Sequence, residues 1–167
     1  MVLCGKSQQA DEIRQLGNHG VVDGEYHSVR GAVGGNSRLD AVHAAILGIQ
    51  LDGLSQRICR RRAIYLRYKD ELGPVVVEHD EGSPISILCV RHQERDALRA
   101  HLANRGIASG CYYPKTLADQ PALVDARVVG DLPNARSFCA EALALPCHAG
   151  LDDAEIDQVL RAMRDFL

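Results

Sequence analysis

The residues best suited to chemistry in this sequence lie in one short segment, Gly34-Gly35-Asn36-Ser37-Arg38. Two glycines let another group approach the backbone closely, and the longest helical signal in the chain begins after them. Unpaired N–H groups at a helix start, an amide or hydroxyl side chain and a cation one turn in together favour a phosphate or a carboxylate. A helix that is simply well capped explains the same residues, and the local sequence alone favours that explanation.

Two further charged clusters have structural explanations. The first is a basic stretch formed by Arg57, Arg60, Arg61, Arg62 and Arg67. It could face nucleic acid or an acidic partner, but few aromatic residues interleave with it and the whole chain has a net charge of −3. We therefore expect a solvated, ion-paired helix face and no nucleic-acid partner. The second cluster, Asp152 to Asp157, resembles paired catalytic carboxylates, but a helix N-terminus also favours negative charge, so we interpret it as capping.

The composition is that of a soluble globular protein with one domain. Of 167 residues, 46% are hydrophobic and 25% are charged, and no apolar run is long enough to span a bilayer. We therefore expect no membrane partner. The six cysteines form no CxxC pair, and the N-terminus lacks the pattern of a secretory signal. These features predict reduced thiols in a cytoplasmic protein.

The chain is expected to combine helices with a few short strands. Apolar periodicity predicts helices over residues 7–16, 39–49, 54–72, 94–105, 134–143 and 152–167. Asp52-Gly53 is expected to separate the second helix from the third, and Gly106 occupies a helix C-terminal position that favours positive φ. Short apolar runs predict strands over residues 75–77, 85–90 and 109–113. Helices that flank a small sheet of short strands make an α+β domain.

Several motifs occur in an order that is typical of one family. They are Asn18-His19-Gly20, Tyr26-His27, Gly35-Asn36-Ser37-Arg38-Leu39-Asp40, Arg105-Gly106-Ile107, Tyr112-Tyr113-Pro114-Lys115 and Leu145-Pro146-Cys147-His148. With these motifs in this order, the chain resembles the sugar aminotransferases of the DegT/DnrJ/EryC1/StrS family. The resemblance extends over the whole chain, from Met1 to Leu167.

The resemblance implies the fold of transferases that depend on pyridoxal 5'-phosphate (PLP), of the aspartate aminotransferase type. This chain would be the small C-terminal domain, with helices around a short, mainly antiparallel sheet. The resemblance also implies amino transfer from glutamate or glutamine to a keto sugar, usually one carried by a nucleotide. Family members begin with a large domain that carries the lysine bound to the cofactor. None of the three lysines here, Lys6, Lys69 and Lys115, occupies that position, so the resemblance implies a C-terminal fragment that is inactive alone and has no catalytic residue.

The family's motifs also imply a partial binding site. Asn36 matches the asparagine that reaches the cofactor phosphate of the neighbouring subunit, and Arg38 lies beside it as a second cofactor-binding residue. Tyr113 matches a position near the sugar-binding cleft, and His19 matches the start of the loop that covers this cleft. The resemblance therefore reverses the preference for a simple helix cap at Asn36, while no metal ligand is expected.

By the same resemblance, residues 1–35 are a remnant of the large-domain edge with a glycine-rich loop. Residues 36–72 are long interface helices, and residues 73–167 are the small α+β domain. The expected partner is a second copy of the chain or a complementary N-terminal aminotransferase chain that supplies the lysine. An alternative function remains open: a non-enzymatic remnant or interaction module that pairs with an intact aminotransferase. A third hypothesis is a nucleic-acid binder built on the basic helix.

Overall fold

The computed structural model describes residues 2–21 and 33–167, so the motif residues Tyr26 and His27 lie outside the described residues. The described residues form two compact units, one within residues 1–52 and one over Gly53–Leu167. The boundary falls at the Asp52-Gly53 step, where the sequence predicts a break between two helices. The division into residues 1–35, 36–72 and 73–167, with the roles given above, stays a prediction.

The first unit contains two helices, α1 over Ser7–Gly17 and α2 over Ala41–Asp52. The helix predicted over residues 39–49 begins two residues later, at Ala41, and residues 36–40 are not helical, so the placement of Asn36 at the helix start is wrong. These five residues instead connect the cap of α2 to a close backbone contact between the segment before α2 and the end of α1, which we call the crossing. The first unit is therefore held together by this crossing as well as by its helices.

The crossing joins the segment before α2 to the end of α1. Ser37 N donates to Gly17 O at 2.9 Å, and Gly35 N donates to Leu16 O at 2.9 Å. A Cβ atom built at Gly34 would lie 2.1 Å from Leu16 O. Because no side chain fits at that distance, glycine is required at position 34 for the two segments to approach each other.

Helix α2 exposes its apolar side chains. None of its residues is buried. At 100° per residue, Val42, Ile46 and Ile49 share one side of the helix, and Leu47 and Leu51 lie on nearly the opposite side. Ile49 is 76% exposed and Leu51 is 64% exposed. An apolar helix of this kind is normally covered on more than one side, so α2 leaves apolar surface uncovered within the described part of the chain.

The second unit is an α+β domain, which confirms the predicted fold class. Its main elements are α3 (Leu54–Leu72), β1 (Leu88–Arg91), α4 (Arg95–Asn104), α5 (Pro133–Glu141), β2 (Ala142–Leu145) and α6 (Asp153–Arg164). Strands β1 and β2 pair antiparallel, with Leu88 opposite Leu145. Isolated antiparallel bridges extend this pair on both sides, joining Val76 to Val90 and Gly110 to Ala144.

The short strands were predicted less well than the helices. The predicted strands over 75–77 and 109–113 are reduced to the single bridges at Val76 and Gly110. The predicted helix over 134–143 ends at Glu141, and the next four residues form β2. All four residues of β2 are buried and apolar, and such a short run is equally consistent with a buried strand and with the end of a buried helix. Tertiary pairing with β1 decides in favour of a strand.

The core of the second unit lies between the sheet and helices α3, α4 and α6. Its largest buried side chains include Tyr65, Tyr68, Leu98, Leu143 and Met163, each at most 1% exposed. Full burial of a large apolar side chain stabilises a fold by about 1.5–3 kcal/mol. The core therefore depends on α3 as much as on the sheet.

Two predicted helix ends in this unit are confirmed. Gly106 has φ 74° after α4, and Ile107 N donates back to Leu102 O at 3.0 Å. Asp152 and Glu155 form the capping box of α6: Glu155 N donates to Asp152 Oδ1 at 2.8 Å and Asp152 N donates to Glu155 Oε2 at 2.9 Å. The acidic cluster therefore caps a helix.

Two arginines of the basic stretch on α3, Arg60 and Arg67, are ion-paired, which confirms that part of the prediction, whereas Arg61 and Arg62 are half-buried and donate to backbone carbonyl groups. The contacts of α3 with α6 include two arginine–aspartate pairs and one pair of reversed sign: Arg60 with Asp153, Arg67 with Asp157, and Glu71 with Arg164. Residue numbers rise together along both helices, so α3 and α6 run parallel. Arg62 Nη1 also donates to Asp80 O at 3.0 Å. The arginines thus bind other parts of their own unit.

The described part of the chain lacks two kinds of feature. Within residues 2–21 and 33–167, no helix is long and apolar enough to cross a membrane. The same residues contain no group of His, Cys, Asp and Glu side chains arranged to hold a metal ion.

Candidate functional site

Three of the four predicted site residues belong to the first unit. Asn36 forms an isolated antiparallel bridge with Asn18, and the next residue, His19, donates its N–H to Gly35 O at 3.0 Å. His19 has φ 59°, a left-handed conformation that is uncommon outside glycine. The crossing therefore brings the backbone of His19 next to that of Asn36, although seventeen positions separate them in the sequence.

Asn36 and Arg38 form one hydrogen-bonded pair. Asn36 Oδ1 accepts from Arg38 Nε at 3.3 Å and from the Arg38 backbone N–H at 3.5 Å. Both side chains are exposed. Because the amide oxygen is turned toward the guanidinium, the amide NH2 group points elsewhere and remains a donor. The pair thus offers a cation and an amide donor side by side.

The sequence predicted an anion site at the start of α2, but the side-chain carboxylate of Asp40 occupies that place. Asp40 Oδ1 accepts from His43 N at 2.9 Å, and Asp40 Oδ2 contacts His43 Nδ1. The hydrogen bond from the His43 backbone N–H, followed by that from its ring, lowers the pKa of Asp40 below its usual range. Asp40, not Asn36, is therefore the cap of α2, and an aspartate followed by the first helical turn is the signal that could have found it.

The backbone N–H groups near Asn36 are also engaged. Ser37 N donates to Gly17 O, so this N–H does not point at a ligand as expected. The prediction that a helix N-terminus binds the anion is wrong. The prediction that the side chains of Asn36 and Arg38 bind it stays a prediction.

A cleft of about 740 Å³ within the first unit is lined by Arg38 of this pair, whereas Asn36 is not among its lining residues. Its lining includes Arg14, Asn18, Ser37 and Arg38. Arg14 is ion-paired with Asp11, which also lines the cleft, whereas the hydrogen bonds described for Arg38 join it to a neutral amide. The guanidinium of Arg38 and the hydroxyl of Ser37 supply donors to the cleft, and Asn36, which is hydrogen-bonded to Arg38, adds an amide NH2 beside them. This donor set fits a phosphate group.

Tyr113, the fourth predicted site residue, belongs to the second unit. Its side chain is 69% exposed and meets the ring of Tyr112 edge to face, with ring centroids 6.2 Å apart. Tyr112 in turn lies over Gly110, because a Cβ atom at Gly110 would be 2.8 Å from Tyr112 Cε2. Nearby, Thr116 is buried and donates to Asp119 Oδ2 at 2.7 Å. The role of Tyr113 near a sugar stays a prediction, as does that of His19.

Solved structures with the same fold give the class of this protein. An aminotransferase of the DegT DnrJ EryC1 StrS type from Brucella abortus superposes with a TM-score of 0.85 and 34% identity, over 96% of this chain and 44% of that one. An aminotransferase from Streptoalloteichus hindustanus superposes with a TM-score of 0.83 and 28% identity, over 96% and 45% of the two chains. The fold is thus that of PLP-dependent sugar aminotransferases, and PLP is the cofactor expected by family.

Sequence comparison identifies the family itself. The chain belongs to the DegT/DnrJ/EryC1/StrS aminotransferase family, which matches residues 1–164. It is 33% identical to the dTDP-3-amino-3,4,6-trideoxy-alpha-D-glucose transaminase of Streptomyces venezuelae, over 99% of this chain and 45% of that protein. It is 31% identical to the UDP-2-acetamido-2-deoxy-3-oxo-D-glucuronate aminotransferase of Pseudomonas aeruginosa, over 97% and 45%. The chain therefore spans less than half the length of these relatives.

Proposed function

We propose that this chain is the C-terminal portion of a PLP-dependent aminotransferase that acts on keto sugars carried by nucleotides. The relatives named for dTDP- and UDP-linked sugars support this substrate class. The observation that carries the proposal is the Asn36–Arg38 pair, which is exposed and presents only donors beside one positive charge. We propose that this pair binds the phosphate of PLP, in a site completed by a neighbouring subunit.

The residues of this pair have separate tasks. Arg38 supplies the charge that attracts a phosphate, and Asn36 holds the Arg38 side chain through Oδ1 while its NH2 group donates to the same anion. A hydrogen bond to a charged group contributes about 1.5–3 kcal/mol. Each residue therefore accounts for roughly a ten- to hundredfold factor in cofactor affinity. His19 and Tyr113 are the residues we propose on the sugar side.

The chain alone is proposed to be inactive. PLP supplies the electron sink for amino transfer when it is bound, but the reaction also needs a lysine amine to hold the cofactor and move a proton. Lys69 is held by Glu78 at 2.8 Å, and that hydrogen bond raises the pKa of Lys69. Such a lysine is a poor nucleophile at neutral pH. A complementary N-terminal chain, with glutamate or glutamine as amino donor, would complete the enzyme in the cytoplasm.

An interaction module that pairs with an intact aminotransferase is the second candidate function. The exposed apolar surface of α2 supports it, because this helix needs a partner whether or not catalysis follows. The two functions differ in one observable property. A completed enzyme binds PLP through Asn36 and Arg38, whereas an interaction module needs only the apolar side chains.

The substitution Asn36→Asp tests the phosphate site. Asp40 caps α2, so the change leaves the helix cap intact while it places a carboxylate beside Arg38. We expect PLP affinity to fall by about ten- to a hundredfold in an assembly of this chain with a complementary lysine-bearing chain. PLP affinity is measured by absorbance titration, and thermal unfolding of the chain should stay unchanged.

The control is Asn134→Asp, which makes the same change at an exposed position of α5. It should alter neither PLP affinity nor unfolding. If Asn36→Asp leaves PLP affinity unchanged in an assembly that binds PLP, the phosphate site is wrong. If the assembly forms but binds no PLP with the native sequence, the interaction module is the better description.

A further inference from the structure

A cleft of about 440 Å³ lies on the second unit, between the segment that follows α4, the end of β2 and helix α6. Its floor is formed by four buried apolar side chains, those of Ile107, Leu145, Leu151 and Val159. The volume lies within the range of about 300–1,000 Å³ that small-molecule sites occupy, and such sites combine an apolar lining with a few polar groups. None of the four predicted site residues is among those that line this cleft.

One wall of the cleft is the ring of Tyr112. A Cβ atom at Gly110 would lie 2.8 Å from Tyr112 Cε2, so the ring packs over the backbone there because position 110 has no side chain. Tyr112 nevertheless stays 51% exposed, which leaves ring surface for a ligand. An aromatic ring presents a flat apolar face with a partial negative charge, on which polarised C–H groups pack.

The imidazole of His148 is a second ring in the lining of the cleft. A Cβ atom at Gly150 would be 3.4 Å from His148 Nδ1, so the imidazole lies close to the backbone at that position. His148 O accepts from Leu151 N at 3.1 Å, which closes the turn before α6. No hydrogen bond engages the imidazole within the described part of the chain, so its neutral form offers one N–H donor and one acceptor nitrogen.

Four further groups on the rim have free hydrogen-bonding capacity. Glu155 Oε2 accepts from the backbone of the capping box, so Oε1 remains as an acceptor. Gln158 Nε2 donates to a backbone oxygen at the end of α4 at 3.0 Å, so the side-chain oxygen of Gln158 also remains. The hydroxyls of Ser109 and Tyr112 have no hydrogen-bond partner within residues 2–21 and 33–167, and each can both donate and accept. The rim therefore mixes donors with acceptors.

This mixture distinguishes between classes of ligand. Among the described lining residues, Glu155 has a formal negative charge and no lysine or arginine is present, so an anion is disfavoured. A cation has donors only and would make no use of the N–H of His148 or of the hydroxyl hydrogens. A hydroxyl group donates and accepts at once, so a neutral ring that carries several hydroxyls matches the whole rim.

We propose that this cleft binds a neutral pyranose. The C–H face of the sugar ring packs on Tyr112 and on the apolar floor, and its hydroxyls exchange hydrogen bonds with His148, Glu155 and Gln158. The inference uses residues of the second unit alone and does not rest on the proposed function. It is therefore tested with the full chain by itself, without PLP and without a complementary chain.

The probe is methyl β-D-glucopyranoside, titrated into the full chain and followed by backbone NMR. We expect saturable binding with a dissociation constant of about 1 mM, as for a ligand of this size, and the largest shifts at Ser109, Tyr112 and His148. Methyl β-D-glucuronoside, which has a carboxylate in place of the hydroxymethyl group, should bind at least fivefold more weakly. The hydroxyl-free ring 2-methoxytetrahydropyran should bind at least tenfold more weakly.

Two substitutions at Tyr112 test the aromatic wall. Tyr112→Leu removes the flat ring and should lower the affinity for the glucoside at least tenfold. Tyr112→Phe keeps the ring and loses one hydroxyl, so it should lower this affinity at most threefold. Because Tyr112 is half exposed, both variants should unfold at the temperature of the native chain.

The role of charge is tested at Glu155. Glu155→Gln keeps an oxygen that accepts from the backbone of the capping box, so the fold is retained, and the glucuronoside should then bind as well as the glucoside. The matched control is Glu94→Gln, at an exposed residue that does not line the cleft. It should preserve the preference for the glucoside.

Binding that follows the expectations for hydroxyls, charge and the aromatic ring supports the proposal. Absence of saturable binding of the glucoside, or equal affinity for the glucuronoside in the native chain, overturns it. Unchanged affinity of the Tyr112→Leu variant also overturns it. Equal binding of the hydroxyl-free ring overturns it as well and would make the cleft a site for small apolar groups.

Discussion

Arg61 is expected to hold the second unit together through its backbone contacts. Its Nε donates to Cys147 O at 3.0 Å, and its Nη2 donates to Ser86 O. These two hydrogen bonds join α3 to segments 86 and 25 positions away in the sequence. The change Arg61→Ala removes both bonds and leaves two carbonyl groups without their donor.

The expected loss follows from the strength of the bonds. A hydrogen bond from a charged donor contributes about 1.5–3 kcal/mol, and partial exposure reduces the sum of the two to about 2–4 kcal/mol. With a urea m value of about 2 kcal/mol per molar, the midpoint of urea unfolding should fall by about 1–2 M. Arg61→Lys keeps the charge but not the fork geometry, so it should lose about half as much.

Arg99→Ala is the matched control, because Arg99 is an exposed arginine of α4. It should shift the midpoint by less than about 0.3 M, since helix propensity barely changes. The measurement is circular dichroism at increasing urea. If Arg61→Ala and Arg99→Ala give equal midpoints, the contacts of Arg61 do not stabilise the unit and the reasoning fails.

Two further predictions concern assembly and acid stability. The chain alone should self-associate through the exposed apolar side chains of α2, and the double change Ile46→Lys with Leu47→Lys should therefore lower its sedimentation coefficient. The control Val129→Lys, at a site that is 76% exposed, should leave the sedimentation coefficient unchanged. A native chain that sediments as a monomer contradicts this prediction. Arg60 holds the pKa of Asp153 below its usual range, chiefly by a side-chain hydrogen bond. Because the folded pKa is depressed, the stabilisation is present above the unfolded value of about 4 and is lost as pH falls through the folded pKa. Asp153→Asn should therefore flatten the loss of thermal stability below about pH 4, and an unchanged slope would refute the role of this ion pair.

The sequence predicted the helices well because their signals are local. Apolar periodicity, the glycine at position 106 and the Asp152–Glu155 spacing each act within one or two turns, and the structure has all three. The strands were predicted poorly because a strand of four residues carries little periodicity. The state of Ala142–Leu145 depends on its pairing with β1, which no local pattern encodes.

In the candidate site, too, the sequence predicted what depends on neighbouring residues and missed what depends on contacts between distant segments. Sequence motifs place Asn36 and Arg38 together because they are two positions apart, and the structure joins their side chains. The contact of this segment with His19 depends on the crossing at Gly34, where the reason for glycine lies in the backbone oxygen of Leu16. Asp40 could be identified as the N-terminal cap only once the start of α2 was known. The hydrogen-bond and ion-pair partners of the α3 arginines could not be predicted from the sequence, because they lie in other elements of the fold.

The parallel pairing of α3 with α6 also fixes which way α6 can lie. The amino-terminal halves of the two helices meet as arginine against aspartate, at Arg60–Asp153, and the carboxyl-terminal ends meet as Glu71–Arg164. Reversing α6 would place Arg164 near Arg60 and Asp153 near Glu71, so both of these attractions would become repulsions. Since parallel helices also align their dipoles unfavourably, the charges counteract that preference. The ion pairs thus favour the parallel packing of α6 against α3 and disfavour the reversed one.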